Sequence, residues 1–182
     1  MIGRLPKSLE VNGREYEIRS DFRVALLIFQ AYNDDELDNY GKTLVCLKCL
    51  YKELPPDTEE AVKKAIWFLD GGDMPKPKQS PKKMMDWEQD ESIIFPAVNK
   101  VAGYETREVD YLHWWSFLGL FNEVGEGLYS NVMNIRSKKI KGKKLEKWET
   151  EFYNSHKELI DLKQKLTAEE QEELDFLSSI VG

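Results

Sequence analysis

Cysteine and histidine are scarce in this chain: of 182 residues, two are cysteine and two are histidine. The cysteines form Cys46-x-x-Cys49. On a helix their sulfurs share a face, as a zinc pair does, but a structural site takes four ligands and only His113 and His156 remain to supply nitrogen. A thioredoxin-like reading needs a βαβ context that is missing. The expectation is therefore buried core cysteines, with no metal and no cofactor. No apolar run approaches the ~18 residues that suggest a membrane span. Residues 1–10 lack the apolar core of a signal peptide, which implies a cytoplasmic protein without disulfides. Long glycine patterns are absent too. Gly71-Gly72 and Gly125-x-Gly127 match neither a phosphate-cradling nor a dinucleotide loop and read as helix punctuation. No Ser/His/Asp or Cys/His spacing gives His113 a nucleophile to activate, so it reads as packed or interfacial, and His156 as solvated. No catalytic residue is assigned, and no internal repeat is visible.

Charge is abundant: 32% of residues are charged and 41% hydrophobic, with a net charge of −7. It is unevenly placed. Between positions 136 and 147 stand Arg136, Lys138, Lys139, Lys141, Lys143, Lys144 and Lys147 against one acid, Glu146. From Thr167 onward there are five acids (Glu169, Glu170, Glu172, Glu173 and Asp175) and no base. Lysines on an exposed helix end bind phosphates in a salt-sensitive way. Yet an acidic chain with one basic segment and no aromatic platform is not a typical nucleic-acid binder. The basic segment suits equally an acidic partner surface or the chain's own acidic segment.

The hydrophobic pattern predicts a mainly α protein, a multi-helix bundle with a short N-terminal β-hairpin. Leu9-Glu10-Val11 and Tyr16-Glu17-Ile18 alternate about Asn12-Gly13, a strong two-residue turn signal that sets Val11 opposite Arg14 and Leu9 opposite Tyr16. Leu9, Val11, Tyr16 and Ile18 then share a face that must lie on helices. Ser20 or Asp21 caps a helix over 22–32 that is apolar nearly all round. Leu37, Tyr40, Leu44, Leu47, Tyr51 and Leu54 pattern a second helix ended by Pro55-Pro56. Asp57 or Thr58 caps a third, with Val62, Ala65, Ile66 and Leu69 on one face. A Gly/Pro/Lys-rich stretch follows, read as an exposed linker over 71–85 between a lobe 1–70 and a lobe 86–182 that together form one compact domain. A fourth helix is expected from about 87 to 102, kinked or restarted at Pro96, with Gly103 as its C-terminal cap. Further helices are expected over 109–124, 128–139 and 143–165. Thr167-Ala168-Glu169-Glu170 fits a capping box before a last helix carrying Leu174, Phe176, Leu177 and Ile180. That helix folds back onto the core or docks in a partner's groove.

The densest aromatic stretch is 110–121, where Trp114 and Trp115 are adjacent. They point about 100° apart on a helix, so one narrow face cannot bury both. Either the element is enclosed on several sides or one tryptophan faces a partner; Leu112, Trp115 and Gly119 define the stripe expected to pack inward, which favours Trp115 inside and Trp114, on the stripe of Phe117 and Phe121, at the contact.

These residues also carry a resemblance. Gln89-Asp90, the run Ile94-Phe95-Pro96-Ala97-Val98-Asn99-Lys100-Val101-Ala102-Gly103-Tyr104-Glu105, Arg107-Glu108 and Tyr111-Leu112-His113-Trp114-Trp115-Ser116-Phe117 resemble the bacteriophage gene-product-fifteen family. Gly125-Glu126-Gly127 and Gly142-Lys143-Lys144-Leu145-Glu146-Lys147-Trp148-Glu149 extend the likeness, which covers essentially the whole chain. That family occurs in long-tailed phages and prophages of Gram-positive bacteria, encoded between the tail-tube and tape-measure genes. The resemblance implies a tail assembly chaperone in the host cytoplasm, absent from the mature virion. It also implies the tape measure protein and tail-tube subunits as partners, and admits a second chaperone or self-association. It supplies no catalytic motif. Candidate partner-binding residues are Trp114, Phe121, Leu174, Phe176, Leu177 and Ile180, and the basic patch is Lys138, Lys139, Lys141, Lys143, Lys144 and Lys147. The rival readings are a nucleic-acid-binding phage factor using 136–147 and a structural tail protein.

Overall fold

The computed structural model describes residues 3–72 and 83–163. Two strands, β1 (Ser8–Val11) and β2 (Arg14–Glu17), form an antiparallel hairpin. Val11 pairs with Arg14 and Leu9 with Tyr16, the register expected from the turn. Asn12 and Gly13 both take positive φ, as that two-residue turn requires. Leu9, Val11, Tyr16 and Ile18 are all buried, and β1 packs on α3 (Thr58–Leu69).

Helices make up the rest: α1 (Phe22–Tyr32), α2 (Asn39–Leu50), α3, α4 (Glu91–Ala102), α5 (Trp114–Asn122), α6 (Leu128–Ile140), α7 (Lys147–Ser155) and α8 (Lys157–Ile160). The protein is mainly α with an N-terminal hairpin. Asp21, Asp38 and Asp57 each begin a helix by accepting a backbone N–H with the side chain. Gly103 ends α4 in the left-handed conformation.

Several boundaries differ from the sequence expectation. The second helix stops at Leu50, because Tyr51 turns extended to bridge Ile18 of the hairpin. α1 is not enclosed all round, since Leu27 is exposed. α4 starts at Glu91 rather than near 87, because Asp86 holds the preceding turn through the Glu88 and Gln89 N–H groups. It then runs through Pro96 without a break. Proline removes the bond to the Ser92 carbonyl, and both residues lie on the exposed face of the helix. α5 begins at Trp114 rather than 109, and the helix expected over 143–165 is two short helices that meet at His156.

Two apolar clusters organise the fold. The larger joins the hairpin, α1, α2 and α3 to Ile94, Phe95 and Val98 of α4 and Trp114 and Phe117 of α5. Residues on both sides of 71–85 thus share one core, and Met85 packs against it. The smaller gathers Ile93, Val132, Ile135 and Ile160 under α6, α7 and α8, with Tyr129 touching both clusters. No helix among the described residues is long and apolar enough to cross a membrane.

Candidate functional site

α5 approaches the C-terminal end of α3, where the last-turn carbonyls have no intrahelical donor. The adjacent tryptophans answer that need in sequence order. Trp115 Nε1 donates to the Phe68 carbonyl (2.8 Å) and Trp114 Nε1 to the Leu69 carbonyl (2.9 Å). Trp114 is the interior one, 1% exposed, with its ring against Phe29, Trp87 and Phe117. Trp115 is half-buried and meets Trp67 edge to face at 5.3 Å.

This reverses the expected orientation. The inward stripe is Trp114, Phe117 and Phe121. Leu112, which defined the opposite stripe, precedes the helix. Its N–H donates to Asp21 Oδ2 and its carbonyl accepts from Phe22, so it belongs to an extended segment with no helical face. Trp114 is therefore not available as a partner anchor. Phe121 is half-buried between Trp87 and Tyr129. Leu174, Phe176, Leu177 and Ile180 lie outside the described residues, as do the capping box at Thr167 and residues 73–82 of the linker.

His113 is the N-cap of α5. Its Nδ1 accepts from the Trp115 N–H (3.0 Å), and its Nε2 lies 2.8 Å from the Pro6 carbonyl, so the neutral ring carries its proton on Nε2. Burial pushes its pKa below the ordinary value, and nearby Lys7 adds to this against the Pro6 bond. Cys46 is fully buried, and burial pushes its thiol up and away from reactivity. Among the described residues no three His, Cys, Asp or Glu side chains gather as a metal site.

Between the strand side of α3, α5 and residues 4–10 lies an open groove of about 810 Å³. Trp67, Trp115, Leu5 and Pro6 supply its apolar surface. Its rim carries charges of both signs, Arg4, Lys7, Lys63 and Lys64 against Glu10, Glu15 and Glu60. Gly72 lines it beside Trp115. Its φ is +98°, and a Cβ there would stand 3.0 Å from the Trp115 ring, so only glycine lets the chain pass so close. The sequence reading missed Trp67. It sits one position off the buried stripe of α3 (Ala61, Ala65, Phe68), and an aromatic beside a core stripe is the signal that pointed to it.

The basic segment divides in two. Arg136 is buried and spends all five N–H groups inside the protein. Two go to Asp90 at 2.7 Å each, and three to the carbonyls of Met84, Leu159 and Ile160. Lys138 pairs with buried Glu149 and holds that carboxyl below the usual range. Lys139 pairs with Asp161 and lies over the Tyr153 ring. Lys141, Lys143, Lys144 and Lys147 are exposed and form no ion pair among the described residues. The nucleic-acid reading thus loses three of its seven cations to internal partners.

The family model described as Bacteriophage Gp15 protein matches residues 1–162. The chain belongs to this phage family. No curated protein and no solved structure matches this Gp15 family member.

Proposed function

We propose that this Gp15 family protein is a tail assembly chaperone that works by binding rather than catalysis. It shields apolar helical faces of the tape measure protein in the host cytoplasm until the tail tube forms around them. Tail-tube subunits are further partners, and a second chaperone or another copy of this chain suits the same assembly step. The observation that carries the reading is the groove at Trp67 and Trp115. A long helical client offers apolar residues at i, i+3, i+4 and i+7 with charges beside them. A tryptophan-lined trough with a rim of both signs fits that pattern. Its volume of about 810 Å³ lies within the range of ~300–1,000 Å³ usual for concave sites. Paired aromatic rings at the centre of such a surface are the usual carriers of binding energy.

The test is capture of tape-measure segments by the wild type, Trp67→Ala and Trp115→Ala, each variant checked by its melting temperature. Loss of capture by about 2 kcal/mol or more, roughly thirtyfold, with folding retained is the expected result. Full capture by both folded variants would move the client surface elsewhere. Mass spectrometry of purified particles separates the chaperone from a structural tail protein, since the chaperone is absent from the finished virion.

A further inference from the structure

The rim charges of the groove at Trp67 and Trp115 are ordered by sign along its length. The groove has two distinguishable ends, because β1 and α3, which both line it, run in opposite directions. At one end Asn12 Nδ2 donates to Asp57 Oδ2 (2.8 Å), which pins the hairpin turn to the start of α3. At the other end the Pro6 carbonyl meets His113 Nε2, and Trp115 Nε1 donates to the Phe68 carbonyl in the last turn of α3.

The charges between these ends are already engaged. Lys63 pairs with Glu59 and Glu60, and Lys64 with Glu60. Glu10 and Glu15 lie towards the hairpin turn, directly opposite each other across the two strands. Both are exposed, and neither side chain has a hydrogen bond or ion pair among the described residues. Like charges directly opposite on a sheet destabilise it, so a cation brought by a partner would relieve this pair. Arg4 and Lys7 line the other end, in the residues before β1. Among the described residues Arg4 has no ion pair, and Lys7 has only the Tyr111 ring, 5.6 Å away. Between Glu60 and Trp67 α3 rises about 10 Å, two helical turns. The apolar length of the groove thus matches an i to i+7 helical face, with unpaired acids beyond one end and unpaired bases beyond the other.

Helices favour acids in the first turn and bases in the last, because that order complements their dipole. α3 itself starts with Glu59 and Glu60. We propose that the groove, taken as the client site, accepts an amphipathic helix in one direction. The acidic first turn of that helix lies at Arg4 and Lys7, its basic last turn lies at Glu10 and Glu15, and its axis runs antiparallel to α3. The tryptophans hold an apolar helical face, and the ends select which helices enter and which way round. A helix laid the other way sets acids against Glu10 and Glu15 and bases against Arg4 and Lys7, a repulsion at both ends.

The test uses two peptides of about 18 residues, five turns, with the same apolar face. Each is capped at both termini and held helical by a staple on its solvent face. One carries Glu in its first turn and Lys in its last, and the other carries the reverse. By fluorescence anisotropy at low salt, the full-length protein should bind the first about tenfold more tightly than the second. The preference should fall below about twofold near 1 M salt, where the screening length is about 3 Å. It should invert in the variant Arg4→Glu, Lys7→Glu, Glu10→Lys, Glu15→Lys. Glu15→Lys alone replaces a repelling cross-strand pair by an attractive one, so its melting temperature should equal or exceed that of wild type. That variant should lose about threefold of the preference. Equal binding of both peptides, each weakened by Trp67→Ala, would overturn the orientation and leave the groove as the client site. Binding that Trp67→Ala leaves unchanged, or no binding of either peptide, would remove the groove reading together with the orientation. A concentration-dependent dimer in sedimentation that Trp67→Ala abolishes would place a second copy of this chain in the groove and overturn the proposal.

Discussion

The two apolar clusters are built on different physics. The larger is an aromatic stack: Phe22 lies flat on Phe117 at 4.6 Å, and Phe95, Trp87 and Trp114 close round that pair. Its specificity comes from ring shape. The smaller has four buried apolar residues, Ile93, Val132, Ile135 and Ile160. Few methyl groups fix neither a register nor a partner, and there the fold is specified by charge. The Arg136–Asp90 pair, 5% and 1% exposed, ties α6 to the start of α4 and to α8. Glu149 ties α7 to α6 through Asn134 and Lys138. Where apolar area is short, fully satisfied hydrogen bonds to buried charges define which helices meet.

That contrast makes one substitution in each cluster severe for opposite reasons. Trp114→Ala opens a cavity and should cost about 3–5 kcal/mol in urea unfolding. Arg136→Met removes the ion partner of buried Asp90, leaving it only the Asp86 N–H, and should cost a similar ~3–5 kcal/mol, although it enlarges no cavity. The repair distinguishes the two clusters. Arg136→Met combined with Asp90→Leu should recover most of the loss, to within about 1–2 kcal/mol of wild type, because an apolar pair replaces an ion pair whose desolvation had been costly. Failure of the double variant to recover would mean that Arg136 matters chiefly through its three carbonyl bonds.

Acid should weaken the large cluster first. His113 is neutral in the fold with its pKa held below the ordinary 6.5, while the unfolded chain takes up the proton near 6.5. In that window the unfolded state binds more protons, so stability rises with pH. The His113 contribution is complete above about pH 6.5 and is lost below it as pH falls toward the folded-state pKa. Urea midpoints near pH 7.5 and pH 5.5 should differ in the wild type. They should differ less in His113→Asn, which keeps a capping acceptor without the titration. The carboxyls of Glu149 and Asp86 are held below their ordinary values and act in a lower window, losing their contribution only as pH falls below about 4.5. The smallest effect belongs to the surface. Arg14→Ala removes a pair with Glu53 that is largely exposed on both sides and should cost about 1 kcal/mol or less. A larger loss would show that charge stabilises this protein without burial.

The hairpin, its register and the bounds of α1 were legible, and the α1 and α3 caps were narrowed to Ser20 or Asp21 and to Asp57 or Thr58, because each rests on neighbours in sequence: a turn dipeptide, an alternation, a polar residue just before a helical run. The two tryptophans were legible as a problem but not as a solution. Which one turns inward depends on where α5 starts. Its start is fixed by His113 and by Leu112 binding the Asp21 cap, 91 residues upstream. The buried ion pairs were hidden for the same reason. Arg136 reads as one cation in a basic run until Asp90, 46 residues earlier, folds against it. Trp67 was passed over because a stripe-based reading credits residues on the core face and ignores the aromatic beside it.

The segment just before α5 also sets a timetable. Leu112 bonds Asp21, Tyr111 bonds Ser20 and His113 bonds Pro6, across 91, 91 and 107 residues. Phe22, in the centre of the aromatic stack, cannot be covered until Phe95 and Phe117 exist. At a translation rate of about 5–20 residues per second, the start of α1 waits roughly 5–20 seconds on the ribosome for the segment that closes it. During synthesis this protein therefore exposes the kind of apolar helix that we propose it later shields on another chain. Changes at 111–113 should lower its yield in cells, particularly at high growth temperature, more than they lower the stability of the finished fold.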